Sequence, residues 1–297
     1  MNPRYRRPAL VATWLVATAL LVACARTIDW RRAANVVATL SPAWILVAIL
    51  ANTAILVLWA AFWRALLPTN APVVAWRRMF EIVSTASSLM NTVPFGGGHA
   101  SSIVLLAQRG GVGQRAALSV LALDQLGEGI TKVSIFLLVA LLAPLPGWMR
   151  AGVTTALLAV AAWFVTLIVA SRWAHELHIL KSPRRSIGAL ACVVGMKAAE
   201  AFGIAAVQRA FGLDITAAGT LLVLAAVVLG TMLPIAPANL GTYEASAFLA
   251  YRHVGLSSEQ ALSLAVVQHA CFMLPAAGVG YLFVSAHTLS RSVTASQ

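Results

Sequence analysis

Charged residues are scarce in this sequence, and acidic residues are scarcer still. Of its 297 residues only 10% are charged, whereas 60% are hydrophobic, and the mean hydropathy is +0.86. About 25% of the residues of an ordinary soluble domain are charged. This composition excludes a soluble globular protein and predicts a polytopic membrane protein.

Cysteine is almost absent, and the motifs of familiar enzymes are missing. Cys24, Cys192 and Cys271 lie within apolar runs, without the spacing of metal ligands, and are most simply packed side chains. There is no Walker motif, nucleophile elbow or Cys/His cluster, and the "HELH" at 175–178 lacks the spacing of a zinc protease. We therefore expect no enzymatic activity, no cofactor, no metal and no nucleotide.

The basic residues outnumber the acidic ones, which gives a formal net charge of +12. Many arginines stand in short loops beside apolar segments, where they set membrane orientation and meet anionic lipid headgroups. We therefore expect lipids, not nucleic acid, as partners. Arg4, Arg6 and Arg7 before an apolar run ending at Cys24 resemble a lipoprotein signal, but we expect a retained first helix because the rest is not a soluble domain.

Long apolar segments dominate the rest of the chain. About 20 apolar residues cross a bilayer. Six segments meet this requirement: Pro8 to Ala25, Pro42 to Leu66, Ala116 to Ala143, Gly152 to Ser171, Ile187 to Ala210 and Gln260 to Ala286. Two further regions, Met79 to Gln108 and Leu221 to Tyr251, are each interrupted by a knot rich in proline and glycine, "TVPFGGGHAS" and "LPIAPANLGTYEAS".

The segments recur at an offset of 144 residues, which relates Gly97 to Gly241 and Ser119 to Ser263. We therefore expect an all-α polytopic membrane protein with a single transmembrane domain, 1–297, built from repeat A, 1–144, and repeat B, 145–297. Each repeat has three transmembrane helices and a re-entrant helical hairpin broken by proline and glycine. An odd number of spans inverts the second repeat. The alternative is that both knots are surface loops between short tilted helices.

The distribution of positive charge favours re-entrant hairpins. If each hairpin enters and leaves the membrane on the same side, most arginines and lysines fall in cytoplasmic segments, including the basic stretch "SRWAHELHILKSPRR". This arrangement predicts a multi-pass membrane protein with both termini in the cytoplasm.

A few ionisable residues fall inside the apolar segments, where charge is costly and its placement informative. Asp124, Glu128 and Lys132 form a helical stripe, which we interpret together with Glu244 as substrate-binding. We interpret Glu81, Lys197 and Glu200 as ion- or proton-coupling residues or as structural pairs. Five acids against two lysines favour a cationic group or a proton as the moving species.

The knots supply further candidates for substrate binding. Their glycines permit close approach of a ligand, and the helix that follows can hold a phosphate at its N-terminus. Arg109 can pair with a headgroup phosphate or simply extend its charge to the interface. The candidates are Gly96, Gly97, Gly98, His99 and Arg109 around the first knot, and Pro237, Asn239 and Gly241 around the second.

The stretches "VPFGGGHASSIVLLAQRGGVGQRAALSVLALDQ" and "LPIAPANLGTYEASAFLAYRHVGLSSEQAL" resemble the membrane region of bacterial lysylphosphatidylglycerol synthases and their stand-alone flippase-like relatives. The second is similar to the family's Pro-x-Pro-Gly-Gly-x-Gly-x-x-Glu pattern, to which Pro237, Gly241 and Glu244 correspond. Ala238 and Asn239 replace the usual glycines.

The resemblance implies translocation of a polar-headgroup or isoprenoid-type lipid between leaflets, because the sequence ends without the family's aminoacyl-transfer domain. Two alternatives stay open at this point. The chain can be a non-catalytic partner of a lipid-biosynthesis enzyme, or a membrane enzyme that acts on lipid headgroups through Asp124 or Glu128.

Overall fold

The computed structural model describes residues 38–92, 97–142, 145–171, 182–232 and 237–295, and these are entirely helical, without a β-strand. All the elements below belong to one compact unit, Ser41–Gln297. The helices are α1 (Pro42–Leu66), α2 (Trp76–Thr92), α3 (Gly97–Arg109), α4 (Gln114–Leu142), α5 (Gly147–Ser171), α6 (Pro183–Ala210), α7 (Ala217–Gly230), α8 (Thr242–His253) and α9 (Ser258–Ala295). A short 3₁₀ turn, Pro237–Asn239, precedes α8.

Four of these helices are long and apolar enough to cross a membrane: α1, α4, α6 and the Ser258–Phe283 part of α9. They confirm the prediction of a multi-pass membrane protein. The predicted segment Gly152 to Ser171 lies within α5. The predicted first helix, Pro8 to Ala25, lies outside the described residues.

Three of the spanning helices, α4, α6 and α9, begin a few residues earlier than the apolar pattern indicates, because their first turns are polar. Ser182 precedes α6 and Pro183 occupies its first position, where a proline N–H would be unsatisfied anyway. Before α9, the Ser257 Oγ accepts from the Gln260 N–H, and the Gln260 Oε1 accepts from the Ser257 N–H. This reciprocal box satisfies two free amides at the helix start.

Helices α1 and α6 pack against each other along their whole length and run antiparallel. Asn52 contacts Gly203, Leu58 contacts Gly195, and the Arg185 guanidinium donates to the Leu67 carbonyl at 3.2 Å. The sequence number rises along α1 as it falls along α6. This central pair positions the residues described below.

Both interrupted regions form pairs of short helices, as predicted. Helices α3, α7 and α8 have 13, 14 and 12 residues, fewer than the roughly 17 needed to span a bilayer. Within each pair the backbones come close. A Cβ at Gly98 would overlap the Met90 backbone, and one at Gly230 would overlap the Ser246 Oγ and lie 3.2 Å from the Thr242 carbonyl oxygen.

Helix α2 also packs closely on α9. A Cβ at Gly280 would overlap the Ser84 carbonyl oxygen, so only glycine fits there without a shift. The Ser88 hydroxyl donates across this contact to the Ala277 carbonyl, and the rings of Phe80 and Phe283 pack edge to face. These contacts hold α2, the first helix of the first interrupted region, against α9.

Candidate functional site

A cavity of about 230 Å³ lies between α1, α4, α6 and α9, where the last turns of α2 and α7 also meet. Ser87, Met90 and Asn91 of α2 line it just before the first knot. Val228 and Thr231 line it just before the second knot. The two interrupted regions therefore lead to one polar space.

Four charged side chains form one wall of this cavity. The Lys197 Nζ lies 3.0 Å from the Glu200 Oε2 and 3.8 Å from the Glu128 Oε1. The Lys132 Nζ lies 3.5 Å from the Glu128 Oε2. The order Glu200, Lys197, Glu128, Lys132 alternates in sign and sums to zero, which lowers the cost of holding charge in an apolar medium. We call this set the charge cluster.

The charge cluster lies near the middle of its helices. Glu128 is the central residue of α4, Gln114–Leu142, so about 21 Å of helix extends to either side of it at 1.5 Å per residue. Lys197 and Glu200 are near the centre of α6, Pro183–Ala210. A helix about 40 Å long that crosses a bilayer places its centre near the midplane.

A second part of the cavity wall carries no ionisable side chain among the described residues. Asn52, Leu56 and Trp59 of α1 and Phe272 and Ala276 of α9 form it. At an offset of 144, Glu128 and Lys132 of α4 correspond to Phe272 and Ala276 of α9, and Lys197 and Glu200 of α6 correspond to Thr53 and Leu56 of α1. The cavity therefore has a charged face and an uncharged face.

Asp124 is buried one turn before Glu128 but is not part of the cavity wall. Its Oδ1 accepts from the indole N–H groups of Trp59, at 2.8 Å, and of Trp63, at 2.9 Å. Trp59 also lines the cavity. Asp124 thus holds in place a ring that faces the polar space, and it does so without a cationic partner in the described part of the chain.

Glu81 lies away from the cavity, in the first turns of α2. Its carboxylate pairs with Arg77 at 3.3 Å and with Arg78 at 3.6 Å. Arg77 is largely exposed, and exposed pairs of this kind contribute about 0 to 1 kcal/mol. The structure separates Glu81 from the other acids, and the cavity wall holds two acids against two lysines.

Glu244 forms a second polar site at the start of α8. Its Oε2 accepts from the Gly241 N–H at 2.7 Å, which caps the helix, and its Oε1 lies 2.7 Å from the His269 Nδ1. The Tyr243 ring stacks on the imidazole with centroids 4.1 Å apart. His269 is only 3% exposed, and its Nε2 has no partner among the described residues.

A chain of buried hydrogen bonds extends from this second site. The Gln268 amide donates to the Tyr243 hydroxyl, and the Tyr251 hydroxyl donates to Gln268. The Gln208 amide donates to Tyr251, and Thr220 donates to Gln208. Because each of these polar groups is paired, the chain ties α6, α7, α8 and α9 together within an apolar core.

The predicted residues around the first knot that the structure describes lie in α3. Gly97, Gly98 and His99 form the first turn of α3, and Gly98 packs on Met90 of the cavity wall. Arg109 lies in the last turn of α3, where a positive charge complements the helix dipole. Gly96 lies outside the described residues.

In the second knot, Asn239 ends the turn Pro237–Asn239 and its carbonyl accepts from the Thr242 hydroxyl. Ala238 and Asn239 have φ angles of 56° and 53°, and Gly241 has 87°. Three left-handed residues in four account for the glycines in the related pattern.

Sequence reasoning missed most of the uncharged members of both sites. Asn52, Ser87 and Asn91 resemble any other polar residue in an apolar run. The spacing of Trp59 and Trp63, four residues apart, does place both indoles on one helix face. Tyr243 and Gln268 carry no such signal, because their partners are set by tertiary packing.

Comparison with known proteins identifies a family for this chain. The family model "Lysylphosphatidylglycerol synthase TM region" matches residues 9–280. No curated protein and no solved structure matches the chain at a significant level. The match spans nearly the whole sequence and includes every helix from α1 to α8. The chain therefore belongs to the lysylphosphatidylglycerol synthase TM region family, whose name ties it to membrane lipids.

Proposed function

We propose that this protein moves a lipid with a polar headgroup between the leaflets of the bacterial inner membrane, through the cavity that contains the charge cluster. The observation that carries the proposal is the position of Glu128, Lys132, Lys197 and Glu200 at mid-helix around one cavity. A polar space at this depth offers a headgroup partners that the hydrocarbon core lacks.

The helix order supports two inverted copies of one unit. Shifted by 144 residues, Gly97–Arg109 falls on 241–253, and α8 is Thr242–His253. Shifted likewise, Gln114–Leu142 falls on 258–286, within α9. The equivalent helices α1 and α6 run antiparallel, which is the relation expected of inverted repeats.

The packing of the short helices supports re-entrant hairpins. Helices α2 and α7 end beside the cavity, and the next helix in each case packs back on the one before it at Gly98 or Gly230. Backbone that leaves its helix at this depth must be buried in protein or line a wet space. On this arrangement both termini are cytoplasmic.

The balance of the charge cluster indicates which headgroups fit. Two lysines and two glutamates present both signs along one wall, so the site suits a headgroup with a phosphate and a cationic or hydroxyl group. Lys132 has one ionic partner among the described residues, and its ammonium carries three donors. We propose that Lys132 receives the phosphate, and that the protein needs neither a nucleotide nor a covalent step.

The test is leaflet exchange of fluorescent lipids in vesicles that contain the purified protein. Wild type should exchange lipid, and Glu200→Gln or Lys132→Gln should reduce the rate by about tenfold, the effect of losing roughly 1.4 kcal/mol of interaction. Glu259→Gln is the control, because Glu259 lies at the exposed start of α9 and away from the cavity. Equal rates for empty vesicles and wild type would exclude lipid translocation.

The same vesicles separate the two alternatives. A headgroup enzyme would convert the lipid to a new product, which mass spectrometry of the extracted lipids would detect. A partner of a biosynthetic enzyme would show neither exchange nor a product.

A further inference from the structure

An apolar groove of about 160 Å³ lies between α1, α4 and α6, next to the cavity but separate from it. Leu123, Leu126 and Ile130 of α4 and Leu190 of α6 are among its lining residues. The only polar side chain in the lining is Ser186, which donates to the Ser182 carbonyl of its own helix. The groove therefore offers no headgroup a partner, in contrast to the cavity.

The groove continues the cavity along the same three helices. On α4, Gly127 lines the groove and Glu128 lines the cavity. On α1 and α6, Phe62 and Val193 line the groove within about one turn of Trp59 and Lys197 in the cavity. One molecule with a polar end and an apolar end can therefore occupy both.

Three of the groove residues that lie nearest in sequence to cavity residues also contact one another. A Cβ at Gly127 would lie 2.9 Å from the Phe62 Cζ and 3.3 Å from the Val193 Cγ2. Glycine at this position lets the three helices approach closely at the Phe62 ring.

The groove also opens outward. Leu190 is 57% exposed and Ile130 is 41% exposed, and both are in helices that are candidate membrane spans. The surroundings of such residues in a membrane are hydrocarbon chains. Because lipid tails are as apolar as leucine, an exposed leucine alone does not retain a chain; a chain tethered to a bound headgroup would be retained.

We propose that the groove holds one hydrocarbon chain of the lipid whose headgroup occupies the cavity, with Phe62, Gly127 and Val193 as the gate between them. This inference rests on the proposed function and extends it to the route of the chain. The ligand class is a lipid with at least one long acyl or isoprenoid chain. The chain leaves the protein sideways between α4 and α6 while the headgroup stays at the charge cluster.

Photo-crosslinking tests the groove without measuring transport. The protein is placed in nanodiscs of phosphatidylethanolamine and phosphatidylglycerol that include phosphatidylglycerol with a diazirine on one acyl chain. Irradiation and peptide mass spectrometry then compare Leu190 with Leu274, 59% exposed on α9, and Ile130 with Val266, 42% exposed on α9. We expect several-fold more label at Leu190 and Ile130 than at these equally exposed controls.

Equal labelling at all four positions would overturn the groove site, because it would indicate ordinary boundary lipid. Gly127→Val should abolish the excess at Leu190, whereas Gly188→Val, at a position with no atom within 4 Å of the added Cβ, should retain it. If Gly127→Val does not fold, the wild-type comparison alone decides. Excess label in wild type without leaflet exchange would retain the groove as a static lipid site and exclude the proposed transport.

Discussion

The residues that determine the backbone of the second knot are the two that depart from the family pattern. Ala238 has φ 56° and ψ 14°, a left-handed conformation that costs a residue with a Cβ about 1 to 2 kcal/mol. Glycine adopts it freely. The chain keeps this conformation with a less suitable residue, so the shape of the turn is imposed by its surroundings.

Ala238→Gly should therefore stabilise the protein, by about 1 kcal/mol, because the relief of strain exceeds the entropy lost by glycine on folding. Thermal unfolding in detergent would measure it. Ala245→Gly, in the first turns of α8, is the matched control and should destabilise by about 0.5 to 1 kcal/mol. An equal loss of stability in both variants would contradict the left-handed turn.

Asp124 lends itself to an isosteric test, because its contacts need an acceptor and not a charge. Asp124→Asn retains an oxygen for both indoles, and we expect a change in unfolding free energy below about 1 kcal/mol. Asp124→Leu leaves the buried Trp63 N–H and the half-buried Trp59 N–H without an acceptor, at a cost of about 1 to 3 kcal/mol for the buried group. A larger loss for Asn than for Leu, in chemical unfolding, would show that the charge itself is required.

Lys197 is the central member of the charge cluster, since it contacts both Glu128 and Glu200. Lys197→Met should destabilise by about 3 kcal/mol, because two poorly hydrated carboxylates lose their cation. Adding Glu200→Gln should recover part of that loss. The measurement is a double-mutant cycle on thermal unfolding, and strict additivity of the two changes would contradict a coupled cluster.

At the scale of elements, glycine determines how closely the helices of the two halves approach. Gly280→Ala places a Cβ against the Ser84 backbone and should cost about 1 to 3 kcal/mol. Gly278→Ala, two residues earlier with open space around the added Cβ, should be neutral or stabilising, because alanine favours helix. Thermal unfolding of the pair measures the difference, and similar values would indicate that α2 and α9 are not in close contact there.

The helices themselves were largely predictable from hydropathy and from the proline and glycine knots. The 144-residue offset placed α3 and α8 in equivalent positions because both begin directly after a knot. What could not be predicted is which polar residues share a cavity. Glu128 and Lys197 are 69 positions apart in the sequence, and only the antiparallel packing of α1 on α6, with α4 alongside, brings them within 3.8 Å.

The spacing within single helices did anticipate the local pairs. The intervals from Glu128 to Lys132 and from Lys197 to Glu200 put each pair on one helix face, and the structure joins the pairs through Lys197. Of the other acids, Glu81 had the same indicator in Arg77, four residues earlier in α2, whereas Glu244 had none. Glu81 and Glu244 found partners in Arg77 and His269, one within its own helix and one across to α9.

At the scale of the whole molecule, the re-entrant arrangement makes a prediction about sidedness. Single cysteines replacing Arg78 and Arg115, in a background without Cys24, Cys192 and Cys271, should both react with an impermeant reagent from the cytoplasmic side. Cysteines replacing Asp214 and His253 should both react from the opposite side. Labelling of right-side-out and inverted vesicles measures this, and a split result within either pair would mean that its hairpin crosses the membrane.

The charged and the uncharged face of the cavity bear on how the gene evolved. If the two halves arose by duplication, the ancestral protein was a symmetric pair of identical chains, and any charge on one wall was present on both. At the offset of 144 residues, Phe272 and Ala276 now occupy the positions equivalent to Glu128 and Lys132, and Thr53 and Leu56 occupy those equivalent to Lys197 and Glu200. Because neither half encodes both ion pairs, such a history places the electrostatic asymmetry of the cavity after the duplication.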